Sequence, residues 1–431
     1  MIMKKQMHPA DRIVATMNRL YYHGMTTVSG GNLSIMDNEG NMWISPSGVD
    51  KGALTREDIM KITPDGKIIG RNRPSVEYPF HLSVLRKRPD FKAVLHAHPT
   101  PLVGFSLMRI IPELTAMADT SAICGKISIA KYAVPGSQTL GDYISAEFEK
   151  GYNTVMLENH GVVIGAPTME EAFRMFEALD FTARVQIAAA TMGKKVKGLT
   201  AEELARYQSF QAPTYKALAD ECQSNLEIDL RNEMMQKSTR AYKLNLFSAV
   251  DGVWSARLAD GSQLITPEGF DPLEGCGCQM VRVKGDAAES GKIPSKYAAF
   301  CAKVYEKYPE INSVIVARCP SAMAFAQTDA KFDARLIPES YIQLKDVPVL
   351  PFMSLLEDAD KALEQLSPKN PVAIVAGDCL VSMGTSVLAA YDHLEVLEYS
   401  ARALVSCAAI GQPVVTLDDA QVQELCEAFH L

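Results

Sequence analysis

Apolar and polar positions along this chain fall into short blocks that read as elements. Pro9–His23 reads as an opening helix. Gly31–Met36 and Asn41–Ser45 then read as paired strands, because the turn Asp37-Asn38-Glu39-Gly40 between them carries residues that tolerate positive φ. Pro79–Lys87 has helical spacing and is stopped by Pro89-Asp90. Ala93–His98 is a short β-branched and apolar run ending in polar residues, which predicts a strand. Thr154–Glu158 and Val162–Ile164 read as strands around a turn at Asn159-His160-Gly161, and Thr168–Met192 as a long amphipathic helix. Strands and helices interleave without a strict βαβ rhythm. The expectation is an α/β protein of layered α+β type, with a mixed or antiparallel sheet flanked by helices.

The pattern occurs twice. Residues 29–50 lie without gaps on 250–271, matching at Gly31/Gly252, Ser34/Ser255, Gly40/Gly261, Ile44/Ile265, Pro46/Pro267, Gly48/Gly269 and Asp50/Asp271. Residues 74–98 lie on 294–318, matching at Pro74/Pro294, Ser75/Ser295, Phe80/Phe300, Val84/Val304, Lys87/Lys307, Pro89/Pro309, Val94/Val314 and Ala97/Ala317. The offsets are 221 and 220, so the chain is a duplicated domain and not a solenoid of short repeats. Residues 225–245 take the place of the opening helix. The expected domains are 1–220 and 225–431, with the boundary near 215–225.

Composition narrows the class. Asp plus Glu outnumber Lys plus Arg by 51 to 43, a net charge of −8, which argues against nucleic acid or an anionic membrane as the main partner. No apolar run reaches the length of a membrane span, and the first residues are not a secretory signal. The nine cysteines are unevenly spread, with only Cys124 and Cys222 ahead of residue 276. They do not suggest a disulfide framework and fit a reducing cytoplasm. Cys276 and Cys278 have no second pair to complete a zinc site, and all nine read as mostly buried small apolar residues.

Of eight histidines, two stand in Leu95-His96-Ala97-His98-Pro99. Alternate residues of a strand share a face, so both imidazoles project together at the strand's end. His160, at a second strand-to-turn junction, completes a set of three, and three imidazoles leave an open position on zinc. Glu77 precedes the helix expected to pack on the histidine strand, where it serves as a ligand, an acid/base or a dipole-favoured helix acid. The second copy tests the set. His96, His98, Glu77 and His160 are replaced by Val316, Arg318, Tyr297 and Asp378, while scaffold prolines and glycines persist. One function has been lost as a unit. Gly30-Gly31-Asn32 and Ser47-Gly48 are turn residues that also suit an anion pocket, since small residues let backbone N–H groups approach closely.

Together, Ser29-Gly30-Gly31-Asn32-Leu33-Ser34, Ile44-Ser45-Pro46-Ser47-Gly48, Pro74-Ser75-Val76-Glu77, Val94-Leu95-His96-Ala97-His98 and Asn159-His160-Gly161 resemble the class II aldolase/adducin family over roughly residues 10–200. The second half resembles the same fold in degenerate form. The resemblance implies zinc or another divalent transition metal at His96, His98 and His160. It makes Glu77 the fourth ligand and acid/base, and places Gly31, Asn32, Ser47, Gly48 and Ser75 around a phosphate. It also implies a lyase acting on a sugar phosphate or related polyol. An epimerase, dehydratase or decarboxylase, or a non-catalytic adducin-like scaffold, is the alternative. Val76 stands where the aldolases often carry a second serine. Family members form fourfold assemblies with a tyrosine from a neighbour, and Pro112-Glu113-Leu114-Thr115 provides none. Pro338-Glu339-Ser340-Tyr341 does, which makes Tyr341 either a proton donor from a capping second copy or an interface or core residue. A homodimer of tandem chains, imitating a tetramer, is the expected assembly.

Overall fold

Pro9 occupies the first helical position, where a missing N–H costs nothing, and the His8 side chain accepts from Ala10 N to start α1 (Pro9–Tyr22). The computed structural model describes residues 7–219, 223–248 and 251–431. They divide into two compact units, one formed by residues up to Leu114 with Asp119–Ala183, the other by Thr115–Ala118 with Arg184–Leu431. Among the described residues, no helix is long and apolar enough to cross a membrane.

In the first unit the chain runs through β1 (Asn32–Met36), β2 (Met42–Ile44), β3 (Met60–Ile62), β4 (Ile68–Ile69), α2 (Tyr78–Lys87) and β5 (Ala93–Ala97). It continues through α3 (Thr100–Met108), α4 (Ala118–Cys124), β6 (Ile127–Ala130), α5 (Gln138–Glu149), β7 (Thr154–Leu157), β8 (Val162–Ala166) and α6 (Met169–Thr191). The sheet order is β4-β3-β2-β1-β5-β8-β7-β6, antiparallel except where β6 lies parallel to β7. β5 is central and every one of its residues is buried. Ala93, Leu95 and Ala97 join the core built with α1 and α6, and Val94 joins the core built with α2 and α5. A strand covered on both faces reads as a continuous apolar run, so His96 within it is conspicuous.

The second unit continues with α7 (Ala201–Ser209), β9 (Lys216–Leu218), α8 (Asn225–Lys243), β10 (Val253–Arg257), β11 (Gln263–Ile265), β12 (Val281–Lys284) and β13 (Ala287–Glu289). Then come α9 (Ala298–Lys307), β14 (Ser313–Ala317), α10 (Pro320–Ala326), α11 (Pro338–Leu344), β15 (Val349–Leu350), β16 (Val372–Val375) and β17 (Cys379–Gly384). Its mixed sheet, β15-β16-β17-β14-β10-β11-β12-β13-β9, repeats the first sheet's register. Ser34 faces Ile44 as Ser255 faces Ile265, Asn32 faces His96 as Val253 faces Val316, and the bridge Pro46–Pro74 returns as Pro267–Pro294. The repeat in the sequence is therefore a repeat in hydrogen bonding.

The compact units divide within α6, between Ala183 and Arg184, and the segment that follows packs with the second unit: β9 adds a parallel strand to β13, and Tyr207 on α7 is buried among that unit's residues. One expectation needs correction: the cysteines are not uniformly buried thiols. Cys276 and Cys278 are exposed and joined in a disulfide, and Cys407 and Cys426 are half-buried. The turn Gly277–Gln279 folds the two exposed cysteines toward one another, which their spacing alone does not reveal. Cys222 lies outside the described residues.

Candidate metal centre

β5 ends at Ala97, so His96 is the last inward-facing residue of the strand and His98 the next on the same face. Their Nε2 atoms lie 2.9 Å apart. His160 arrives from the β7–β8 turn, where Asn159 takes a left-handed φ of 56°. The three imidazole rings stand 4.7 and 4.8 Å apart, and their donor nitrogens lie within 4.8 Å of one another. Close packing requires glycine around them. A Cβ on Gly161 would stand 2.5 Å from Ala97 O and 2.6 Å from His98 Cδ2, and one on Gly31 would stand 2.9 Å from His96 O.

Glu77 is the N-cap residue of α2, yet its side chain makes no capping bond. The buried carboxylate turns instead toward the histidines, with Oε2 3.4 Å from His96 Nε2 and Oε1 3.9 Å from His160 Nε2. Asn32, at the start of β1 and opposite His96 in register, donates from Nδ2 to Glu77 Oε2 at 2.8 Å. His81, one helical turn after Glu77, binds Asn32 Oδ1 through Nε2 at 2.5 Å and Ser34 Oγ through Nδ1 at 2.7 Å. A buried line from Ser34 through His81 and Asn32 thus fixes one oxygen of Glu77. The other, Oε1, is buried with no hydrogen-bond partner.

These donors fit a divalent cation. His96 Nδ1 donates to Val162 O at 2.9 Å, which fixes the tautomer and leaves Nε2 as a bare lone pair. Two facing Nε2 atoms and an orphaned carboxylate oxygen call for a cation between them. Burial, reinforced by His160, pushes His96 down to about 3. Burial, then His96 and His160, does the same to His98, with Glu77 opposing. His160 is lowered by burial against the pull of Glu77. All three are neutral at ordinary pH, the form that ligates metals.

Of the residues expected around an anion, Ser75 is buried and its Oγ accepts from Glu77 N at 3.3 Å. Ser47 is half-buried and Gly48 exposed, with a left-handed φ of 69°. Ser47 N donates to Arg73 O and Ser75 N to Ser45 O, so the two segments are stitched side by side. Tyr341 lies on α11 in the second unit, where Cys426 is its hydrogen-bonding neighbour. Sequence reasoning missed His81 and Ser106. His81 carried a signal, being four residues after Glu77 on one helix face. Ser106 carried none. Its buried hydroxyl donates to Leu157 O at 2.7 Å and accepts from His160 N at 3.0 Å, pinning the His160 turn.

The equivalent positions of the second unit hold a different chemistry. Arg318 pairs with Asp378 at 3.2 Å and with Asp251 at 2.6 Å, and Tyr297 donates to Asp378 at 3.4 Å. Arg318 also donates to the Tyr207 hydroxyl at 3.0 Å, and Lys296 does so at 2.5 Å. An ion pair packed under a tyrosine replaces the metal donors.

Comparison with known proteins finds one family twice along the chain. The model of the "Class II Aldolase and Adducin N-terminal domain" matches residues 11–187 and again 232–405. A 3-oxo-tetronate 4-phosphate decarboxylase of Pectobacterium atrosepticum is 30% identical over 189 residues, 43% of this chain and 85% of that protein. A 5-deoxy-D-ribulose 1-phosphate aldolase of Bacillus thuringiensis is 33% identical over 189 residues, 43% of this chain and 86% of that protein. An L-fuculose phosphate aldolase of Escherichia coli is 27% identical over 197 residues, 46% of this chain and 90% of that protein.

Proposed function

Since the chain belongs to the class II aldolase and adducin family, we propose that its first half is a metal-dependent lyase cleaving a sugar phosphate or related polyol. The observation that carries the proposal is the convergence of His96, His98 and His160 on a carboxylate with one unpartnered oxygen. His96, His98 and His160 would hold the ion, zinc or a similar divalent transition metal, with Glu77 Oε1 as a fourth donor only in the absence of substrate. When bound, the ion supplies Lewis-acid stabilisation of negative charge on substrate oxygens.

The chain's own groups handle protons and position. Asn32 anchors Glu77 Oε2, so Oε1 is the oxygen that exchanges a proton with substrate. In retro-aldol cleavage a hydroxyl passes its proton to Glu77 Oε1 as the adjacent C–C bond breaks and an aldehyde departs. The electron pair stays on the ketone fragment, and Glu77 returns the proton to that carbon. Gly31, Asn32, Ser47, Gly48 and Ser75 hold a remote anionic group and so orient the bond that breaks.

Decarboxylation of a phosphorylated 3-oxo acid is the second reading. It is favoured by the decarboxylases among the relatives. There carbon dioxide departs in place of the aldehyde, and Glu77 has only to deliver a proton to carbon. The test is to incubate purified protein with ketose 1-phosphates and follow dihydroxyacetone phosphate, with and without chelator. Carbon dioxide release from a 3-oxo acid phosphate is followed in parallel. Chelator-sensitive release supports the proposal, and purification without metal, or no turnover of either class, refutes it. Tyr341→Phe belongs in the same assay: unchanged turnover removes Tyr341 as proton donor. A homodimer is the assembly we expect, and a solution mass of one chain would contradict it.

A further inference from the structure

Lys51 is fully enclosed, 2% exposed, three residues after Gly48. Lysines are seldom buried to this degree without a carboxylate. Here the ammonium donates to Pro46 O, and among the described residues no carboxylate pairs with it. Pro46 is the residue before Ser47, and its bridge to Pro74 joins the 45–48 segment to the one carrying Ser75. The ammonium therefore sits at the base of the loop whose Ser47, Gly48 and Ser75 form the anion pocket of the proposed function.

The second copy supplies an independent observation. At the offset of 221, Lys51 becomes Pro272 and Ser47 becomes Glu268, while Pro46, Gly48 and Asp50 remain as Pro267, Gly269 and Asp271. The scaffold of the loop is kept. Its cation is lost, and an acid that would repel an anion appears in the position of the serine. Lys51 thus disappears together with the metal donors and not with the fold.

We infer that Lys51 is a specificity-determining residue, the built-in counter-charge for a phosphate-type anion held at Ser47, Gly48 and Ser75. The inference rests on reading that loop as an anion pocket. An ammonium without a counter-ion in a dry setting is the form that gains most from an arriving anion. Burial alone pushes Lys51 down to about 8, still cationic at neutral pH.

Inorganic phosphate is the probe, titrated calorimetrically into the full chain with neither substrate nor turnover involved. Lys51→Met is expected to weaken phosphate binding about tenfold or more, whereas Arg73→Gln, which changes an exposed cation beside the same loop, leaves it near wild type. Equal affinity in Lys51→Met and wild type, or no phosphate binding by wild type, overturns the inference. Should Lys51→Met fail to fold, the Lys51 Nζ resonance of wild type, followed by NMR during the phosphate titration, decides. Phosphate must shift that resonance, and a resonance indifferent to phosphate overturns the inference. Neither readout depends on metal or on cleavage, so their failure is separate from failure of the lyase proposal.

Discussion

Gly161→Ala probes how closely the histidine set depends on backbone packing. The added Cβ would lie 2.5 Å from Ala97 O and 2.6 Å from His98 Cδ2, inside the contact distance that real methyl groups keep. One obstacle is a strand carbonyl and cannot rotate away, and the other is the edge of a ligand ring. Relief needs a separation of nearly an ångström between the β7–β8 turn and the end of β5. Overpacking of this kind costs about 1–3 kcal/mol. Displacing a ligand by disturbing its support typically lowers metal affinity about 10–100-fold. Gly66→Ala is the control. Gly66 has φ +86° and nothing within 4 Å of its Cβ, so the substitution strains backbone by about 1–2 kcal/mol and leaves the histidines alone. Competition against a chromophoric chelator gives the affinity, and thermal unfolding of metal-free protein gives the stability. Wild-type affinity in Gly161→Ala, or an equal loss in Gly66→Ala, would refute the packing argument.

His81→Leu takes away the group that holds Asn32 Oδ1 and so frees Glu77; turnover should fall about 10–100-fold with metal content retained, and undiminished turnover would refute the relay. Lys51 titrates near 10.5 unfolded and about 8 folded, so its burial penalty is complete below pH 8 and absent above 10.5. Wild type should therefore gain about 3 kcal/mol on Lys51→Met between pH 7 and 11 in urea unfolding, and a flat difference would contradict the burial. Arg318→Met removes the guanidinium facing buried Asp378; it should destabilise the second unit by about 3–5 kcal/mol while metal content stays unchanged, which differential scanning calorimetry and metal analysis check together.

The legible parts of this protein are those with a periodicity or a duplicate. α1, the β1–β2 hairpin, β5 and α6 appear within a few residues of their expected limits, because capping residues, turn residues and apolar runs mark them locally. The histidine triad was legible because the second copy kept the scaffold while losing all four chemical side chains. What stayed hidden is made by distant pairing. The parallel β6–β7 pair and the added β9 depend on partners far along the chain. Ser106 supports His160 across 54 residues, and no local pattern announces such a contact. Lys51 has no local signal of burial, since only the folded loop encloses it.

The two sheets share their rungs down to a proline pair, yet one rung ends in Asn32 against His96 and the other in Val253 against Val316. Each molecule is consequently its own blank. A compound that recognises only the common framework should saturate at two equivalents per polypeptide, and one that needs the imidazoles at a single equivalent. Counting bound molecules is then enough to tell scaffold affinity from active-centre affinity, with no mutant required.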